Sequence, residues 1–122
     1  MKNRKIGKGL HILAGLYECQ ETEVLASKIK LEKTILKIIQ KARFNALSSL
    51  FYKFPDGGVT GLVLLSESHL AIHTWPEKAY ASLDIFLCNY SSDNSYKVRK
   101  AFELFHAFLK PAKMKKREIR RE

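Results

Sequence analysis

Apolar positions along the chain switch between two periods, and each switch marks an element. Gly9 to Tyr17 alternates loosely and is rich in strand formers, which predicts a first strand. From Thr22 the period becomes helical. Val24, Leu31, Ile35, Ile38 and Ala42 follow one another at intervals of 7, 4, 3 and 4, with Leu25 and Ile39 beside the stripe. Lys28, Lys30, Lys33, Lys37 and Lys41 take the wet face, and Thr22 is the expected N-cap. Leu47 to Phe54 then reads as a strand, followed by the turn signal Pro55-Asp56-Gly57-Gly58. Val59 to Leu65, Leu70 to Trp75 and Ser82 to Cys88 read as three further strands, the second ended by Pro76. A last helix begins within Ser91 to Asn94, buries Val98, Ala101, Phe102, Phe105, Phe108 and Leu109, and stops at Pro111. The tail has room for one more short strand.

Two amphipathic helices laid on one face of a mainly antiparallel sheet make a two-layer α/β sandwich. Residues 1–122 form a single domain in this reading, with no repeat or linker. Many ferredoxin-like RNA binders share that class, so architecture alone names no function.

Composition narrows the choice. A chain of 122 residues with 46% hydrophobic content is long enough to bury one core. No apolar run approaches the roughly 20 residues of a membrane helix, and the N-terminus lacks the apolar stretch of a signal peptide. Cys19 and Cys88 are too few and too unpatterned for a disulfide framework or metal cluster, which suggests a reduced, cytoplasmic protein. The net charge of +10 raises the question of nucleic acid. Yet residues 110–122 carry seven of the 22 basic residues against two acids, and no aromatic residue interleaves with them. A base-stacking partner is therefore missing, and a solvated terminal segment is the better reading.

The densest chemistry lies in Ser66-Glu67-Ser68-His69-Leu70-Ala71-Ile72-His73-Thr74-Trp75-Pro76-Glu77. Packing gives a strand no reason to carry two histidines beside a serine and carboxylates, each with its own hydrogen-bonding demand. Alone, Ser68 would be a turn serine, His73 a structural histidine and Cys88 a small buried hydrophobe. Together they resemble the self-cleaving site of the short, prokaryotic pyruvoyl-dependent S-adenosylmethionine decarboxylases, with the pattern E-S-H-x-x-x-H-T-W-P-E filled at every fixed position from Glu67 to Glu77. Gly7 to Cys19, Phe54 to Gly61 and Tyr80 to Cys88 resemble flanking segments of that family in order and spacing.

The resemblance implies that the precursor breaks at Glu67-Ser68 into residues 1–67 and 68–122. The Ser68 hydroxyl would attack the Glu67 carbonyl, and the resulting ester would eliminate to leave a pyruvoyl group in place of Ser68. A hydroxyl is a weak nucleophile, so this step needs strain or a polarised carbonyl. Thr60 matches a hydroxyl that aids processing, and His73 the base that removes a proton. The role of His69 stays open between chemistry and orientation of the loop. The pyruvoyl cofactor would form a Schiff base with the substrate amine and act as an electron sink. Cys88 matches the proton donor, a role that calls for a thiol rather than a thiolate. Phe54, Trp75 and Glu77 match the substrate-recognition set: aromatic faces for an adenine ring and sulfonium, a carboxylate for ribose hydroxyls. No metal is implied, and putrescine dependence is not expected. The substrate would be S-adenosylmethionine, and the active form a homodimer whose sites are completed by the neighbour, through Phe54. Neither nucleic acid nor membrane is an expected partner.

Three departures from the pattern stand out: Gly15 replaces a frequent acid, Tyr52 a frequent histidine, and Lys78-Ala79 a more usual Tyr-Gly. Substrate choice is thereby open to an alternative, arginine or ornithine, which relatives on the same scaffold decarboxylate. A basic nucleic-acid-binding module is the alternative from another class. In the uncleaved chain, Glu67-Ser68 is expected in an exposed or strained turn, with Thr60, His73 and Cys88 all close to Ser68.

Overall fold

The computed structural model describes residues 7–89 and 93–121. In chain order these form β1 (Gly7–Cys19), α1 (Thr22–Leu25), α2 (Lys28–Lys41), β2 (Ala46–Lys53), β3 (Val59–Leu65) and β4 (Ser68–Trp75). A 3-10 turn (Pro76–Lys78), β5 (Tyr80–Asn89), α3 (Ser95–Leu109) and β6 (Pro111–Arg121) complete the chain. The strands make one antiparallel sheet of six, in the order β2-β3-β4-β5-β1-β6. The long helices α2 and α3 pack on one face of it and on each other. The α/β sandwich expected from periodicity is the fold observed.

Alternation along each strand sorts residues between a helix-covered face and an open one. Leu10, Ile12 and Leu16 of β1, Leu70 and Ile72 of β4, and Leu83 and Ile85 of β5 are buried against the helices. Leu31, Ile35, Ile38 and Ile39 of α2 meet them, as do Val98, Ala101, Phe102, Phe105 and Leu109 of α3. Each of these side chains larger than alanine contributes on the order of 1.5–3 kcal/mol by leaving water. The other face carries His11, His69, His73, Trp75, Tyr80, Asp84 and Cys88, and no helix among the described residues covers it.

Three boundaries differ from the sequence expectation. The first helical pattern is two helices, not one. Thr22 opens the short α1 instead of capping it, and Ser27 caps α2 by accepting the Lys30 N–H at 3.1 Å. Strand β4 starts at Ser68, two residues before the apolar run, because pairing to Leu65 and Leu87 fixes the backbone there whatever the side chain. The basic tail is a full strand on the outer edge of β1, paired along one side and exposed along the other. Arg99 of α3 grips Glu118, and Arg120 donates to Ser95 Oγ at 2.6 Å. Charges along such an edge discourage pairing with another sheet. Asn94 precedes α3, while Ser91, where that helix was expected to begin, lies outside the described residues.

Candidate active site

Ser66 and Glu67 form the two-residue turn between β3 and β4, and Leu65 pairs directly with Ser68 across it. The carbonyl oxygen of Glu67 accepts two hydrogen bonds from a single residue of the neighbouring strand. The Cys88 backbone N–H donates at 3.0 Å and the Cys88 thiol at 3.0 Å. The Glu67 carboxylate is held as well, by Asn94 Nδ2 at 2.6 Å, and the same amide nitrogen reaches the Cys88 carbonyl at 2.9 Å. Asn94 is buried, with its own backbone N–H on Asn89 Oδ1. One amide thus ties the Glu67 side chain to the Cys88 backbone.

Such an arrangement polarises a carbonyl. Two donors aimed at one oxygen stabilise negative charge that develops there. Neither Ser66 nor Glu67 has a positive φ; those angles occur at Glu18, Arg43, Ala79 and Lys110 among non-glycine residues. Of the two routes open to an attacking hydroxyl, strain or polarisation, the geometry supplies polarisation. Donation from Cys88 Sγ also requires the sulfur to carry its proton, as a proton donor must.

The structure separates the expected site residues into two groups. Thr60 and His73 do not stand beside Ser68. They face each other across β3 and β4, Thr60 Oγ1 lying 3.1 Å from His73 Nδ1. His73 is five positions along the same strand from Ser68, a span of about 17 Å at the usual rise. The expectation that Thr60 and His73 lie close to Ser68 in one chain is therefore corrected, because a strand cannot fold back on itself, whereas Cys88 does lie there, its thiol on the Glu67 carbonyl. Thr60 and His73 instead join Phe54, Trp75 and Glu77 around a cavity of about 240 Å³. Trp75 is flanked by Tyr80, ring centroids 5.3 Å apart, and by His73 at 6.4 Å. Tyr80 in turn meets Tyr17 at 4.8 Å, and burial together with that neighbour raises its phenol pKa.

A third group was not foreseen as such. His69 Nδ1 lies 3.3 Å from Ser68 Oγ, and its Nε2 lies 3.5 Å from Asp84 Oδ1. The same carboxylate oxygen meets His11 Nε2, and Arg121 approaches His11 Nδ1 at 3.3 Å. The donor atoms of His11, His69 and Asp84 lie within 4.8 Å of one another, as metal ligands could. Asp84 was legible as a lone carboxylate in the apolar run of β5, and His11 likewise in β1. Nothing in the sequence marked Asn94. Cys19, the other thiol, is buried, and that burial raises its pKa.

The S-adenosylmethionine decarboxylase family model matches residues 10–122. The chain belongs to that family. It is 42% identical over 103 residues to the S-adenosylmethionine decarboxylase proenzyme of Archaeoglobus fulgidus, covering 84% of this chain and 88% of the relative. The proenzyme of Caldicellulosiruptor saccharolyticus is 46% identical over 80 residues, 66% of this chain and 64% of its own length. The crystal structure of the adenosylmethionine decarboxylase from Aquifex aeolicus VF5 superposes with a TM-score of 0.85 at 32% identity, covering 96% of this chain and 92% of that one. Set in an S-adenosylmethionine decarboxylase, the Glu67-Ser68 turn and the cavity at Trp75 occupy opposite ends of one strand on the open face of the sheet.

Proposed function

We propose that the chain is a proenzyme that cleaves itself between Glu67 and Ser68 and then decarboxylates S-adenosylmethionine. The observation that carries this reading is the pair of Cys88 donors on the Glu67 carbonyl, directly beside the Ser68 hydroxyl. Attack by Ser68 Oγ moves the acyl group from nitrogen to oxygen, and the Cys88 N–H and thiol receive the oxyanion as it forms. The names of the relatives, all proenzymes of this decarboxylase, support the same assignment.

The residues present fit a pyruvoyl group at position 68. It would occupy the start of β4, held between Leu65 and Leu87 by the strand pairing, with the Cys88 thiol one position beyond Leu87. When bound there the group supplies an electron sink for the carbanion left by loss of carbon dioxide. Cys88 keeps a proton at that end of the site for delivery to the substrate carbon. Trp75 and Phe54 offer aromatic faces to the adenine and sulfonium, and Glu77 offers a carboxylate to the ribose.

A second copy of the chain completes the site. One protomer holds the cleavage group and the recognition cavity about 17 Å apart along β4. The cavity alone, at about 240 Å³, falls short of the roughly 300 Å³ at which small-molecule sites begin. The open face also presents Leu50, Leu62, Leu64 and Tyr52, with Leu50 69% exposed, an apolar surface of the kind that marks an interface. Two open faces packed about a two-fold axis would let His73, Trp75 and Phe54 of one protomer complete the site at Ser68 and Cys88 of its partner. The homodimer is therefore the catalytic unit.

Neither alternative gains support. None of the named relatives is an arginine or ornithine decarboxylase. In β6, Arg120 and Lys116 turn to α3, Arg120 onto Ser95 and Lys116 over the Phe102 ring at 5.0 Å. Intact mass spectrometry tests the cleavage: two fragments, 1–67 and 68–122, the second without a free amino terminus. Incubation of the cleaved protein with S-adenosylmethionine, arginine and ornithine separately, with carbon dioxide as readout, tests the substrate. An unbroken chain after prolonged incubation would sink the reading.

A further inference from the structure

We infer that His69 is the base that takes the Ser68 proton during self-cleavage, and that Asp84 and His11 fix its tautomer. The inference rests on the self-cleavage reading above and adds a residue to it. The argument is one of donors and acceptors, started from the far end of the chain of contacts. Arg121 has only N–H groups to offer, so His11 Nδ1, 3.3 Å from its Nη1, is an acceptor. Neutral His11 then carries its proton on Nε2, which points at Asp84 Oδ1. Arg121 is held in place by stacking, its guanidinium carbon 4.4 Å from the centre of the Phe86 ring. His11 is buried between strands, so its orientation is set by packing as well.

From Asp84 outward the same logic applies to His69. A carboxylate only accepts, so the His69 nitrogen that faces Asp84 Oδ1 at 3.5 Å, Nε2, is the protonated one. That leaves the lone pair of the ring on Nδ1, 3.3 Å from Ser68 Oγ. The serine hydroxyl donates into it. Ser68, His69 and Asp84 therefore stand in the relation of nucleophile, base and orienting acid, reached here with the two imidazole nitrogens exchanged. His73 cannot serve this step in its own chain, since it lies five positions along β4 and is occupied by Thr60.

The step balances without a co-reactant. The bond from Ser68 Oγ to the Glu67 carbonyl carbon forms as the hydroxyl proton passes to His69 Nδ1. The bond from that carbon to the Ser68 nitrogen then breaks, and the leaving nitrogen takes the proton back from the imidazolium. Asp84 steadies the imidazolium in between. His73 of the second copy is left for the later removal of the Ser68 α-proton.

These assignments divide the two histidines by the species that accumulates. Hydroxylamine cleaves an ester at this position and leaves an amide intact. In His69→Gln the chain should remain whole and hydroxylamine-resistant, with cleavage slowed about 100-fold or more, the scale of lost general-base catalysis. In His73→Ala the ester should accumulate and hydroxylamine should release the fragments. Added imidazole should restore cleavage to His69→Gly, which a purely structural role would not allow. Asp84→Asn should slow cleavage about tenfold or more, with partial recovery in Asp84→Glu. Thermal melts of each variant show whether it is folded. A folded His69→Gln that cleaves as fast as the parent, or accumulates the ester, would overturn the inference while leaving self-cleavage intact. A parent chain that never cleaves would overturn the reading beneath it.

Discussion

Cys88 grips the carbonyl of Glu67 from two directions, through its backbone N–H and through its thiol, each at 3.0 Å. The backbone donor is set by the pairing of β4 with β5 and survives any substitution except proline, but the thiol does not. Cys88→Ala should therefore slow precursor cleavage, by about 10- to 100-fold, because one donor of two is lost and a thiol is the weaker kind. Cys88→Ser, which keeps an O–H in the same place, should cleave faster than Cys88→Ala. Mass spectra taken over time give both rates, and equal rates in all three proteins would show that the thiol contributes nothing to cleavage.

The two ends of β4 give a prediction about assembly. If a site combines Ser68 of one protomer with His73 of the next, chains carrying Ser68→Ala and His73→Ala should complement each other. Neither variant alone should be processed to the pyruvoyl form. Co-expressed, a share of the His73→Ala chains should be, because their partners supply an intact His73. No processing in the mixed dimers would show that each site is built within one chain.

Ala79 sits at φ 50° directly after the 3-10 turn, and both of its backbone groups are engaged: its N–H on Pro76 and its carbonyl on the Cys19 N–H at 2.9 Å. A side chain in the left-handed region costs about 1–2 kcal/mol, whereas glycine there loses about 0.5–1 kcal/mol of extra chain entropy. Ala79→Gly should thus stabilise the protein by about 0.5–1 kcal/mol, raising Tm by roughly 2–4 °C. A calorimetric scan that shows a lower Tm would contradict this account of the turn.

The two hydrogen bonds from Arg99 hold the Glu118 carboxylate below its ordinary pKa. A carboxylate with a depressed folded pKa stabilises the fold above its unfolded value and ceases to do so as pH falls through the folded one. Glu118→Gln should therefore lower Tm modestly at neutral pH. The gap to the parent should narrow as pH drops below the usual carboxylate range. Both partners are partly solvated, so added salt should shrink the effect as well. A gap that stayed constant down to strongly acidic pH would mean that the pair does not tie β6 to α3.

The sequence by itself determined the layers and the family. Period-two and period-3.6 stripes named the strands and both long helices, because burial against a common core imposes those periods on any chain with one wet face. The Glu67-to-Glu77 run pointed to chemistry, because titratable groups so dense on a strand have no packing explanation, and its resemblance to a known cleavage motif named the family. Which of those groups act together was not written there. His73 is near Ser68 in number and about 17 Å away in space, since extended chain converts separation in sequence directly into distance. Cys88 meets Glu67, and His11 meets Asp84, across strands that are distant in number, since antiparallel register puts Ser68 opposite Leu87, Ala71 opposite Asp84 and His11 opposite Phe86. Asn94 reaches Glu67 only because α3 starts where β5 ends. Hydrophobic pattern is a local property that each segment carries with it. A site made of hydrogen bonds between strands depends on register and on the direction each residue faces, and those are fixed only when the whole sheet has formed.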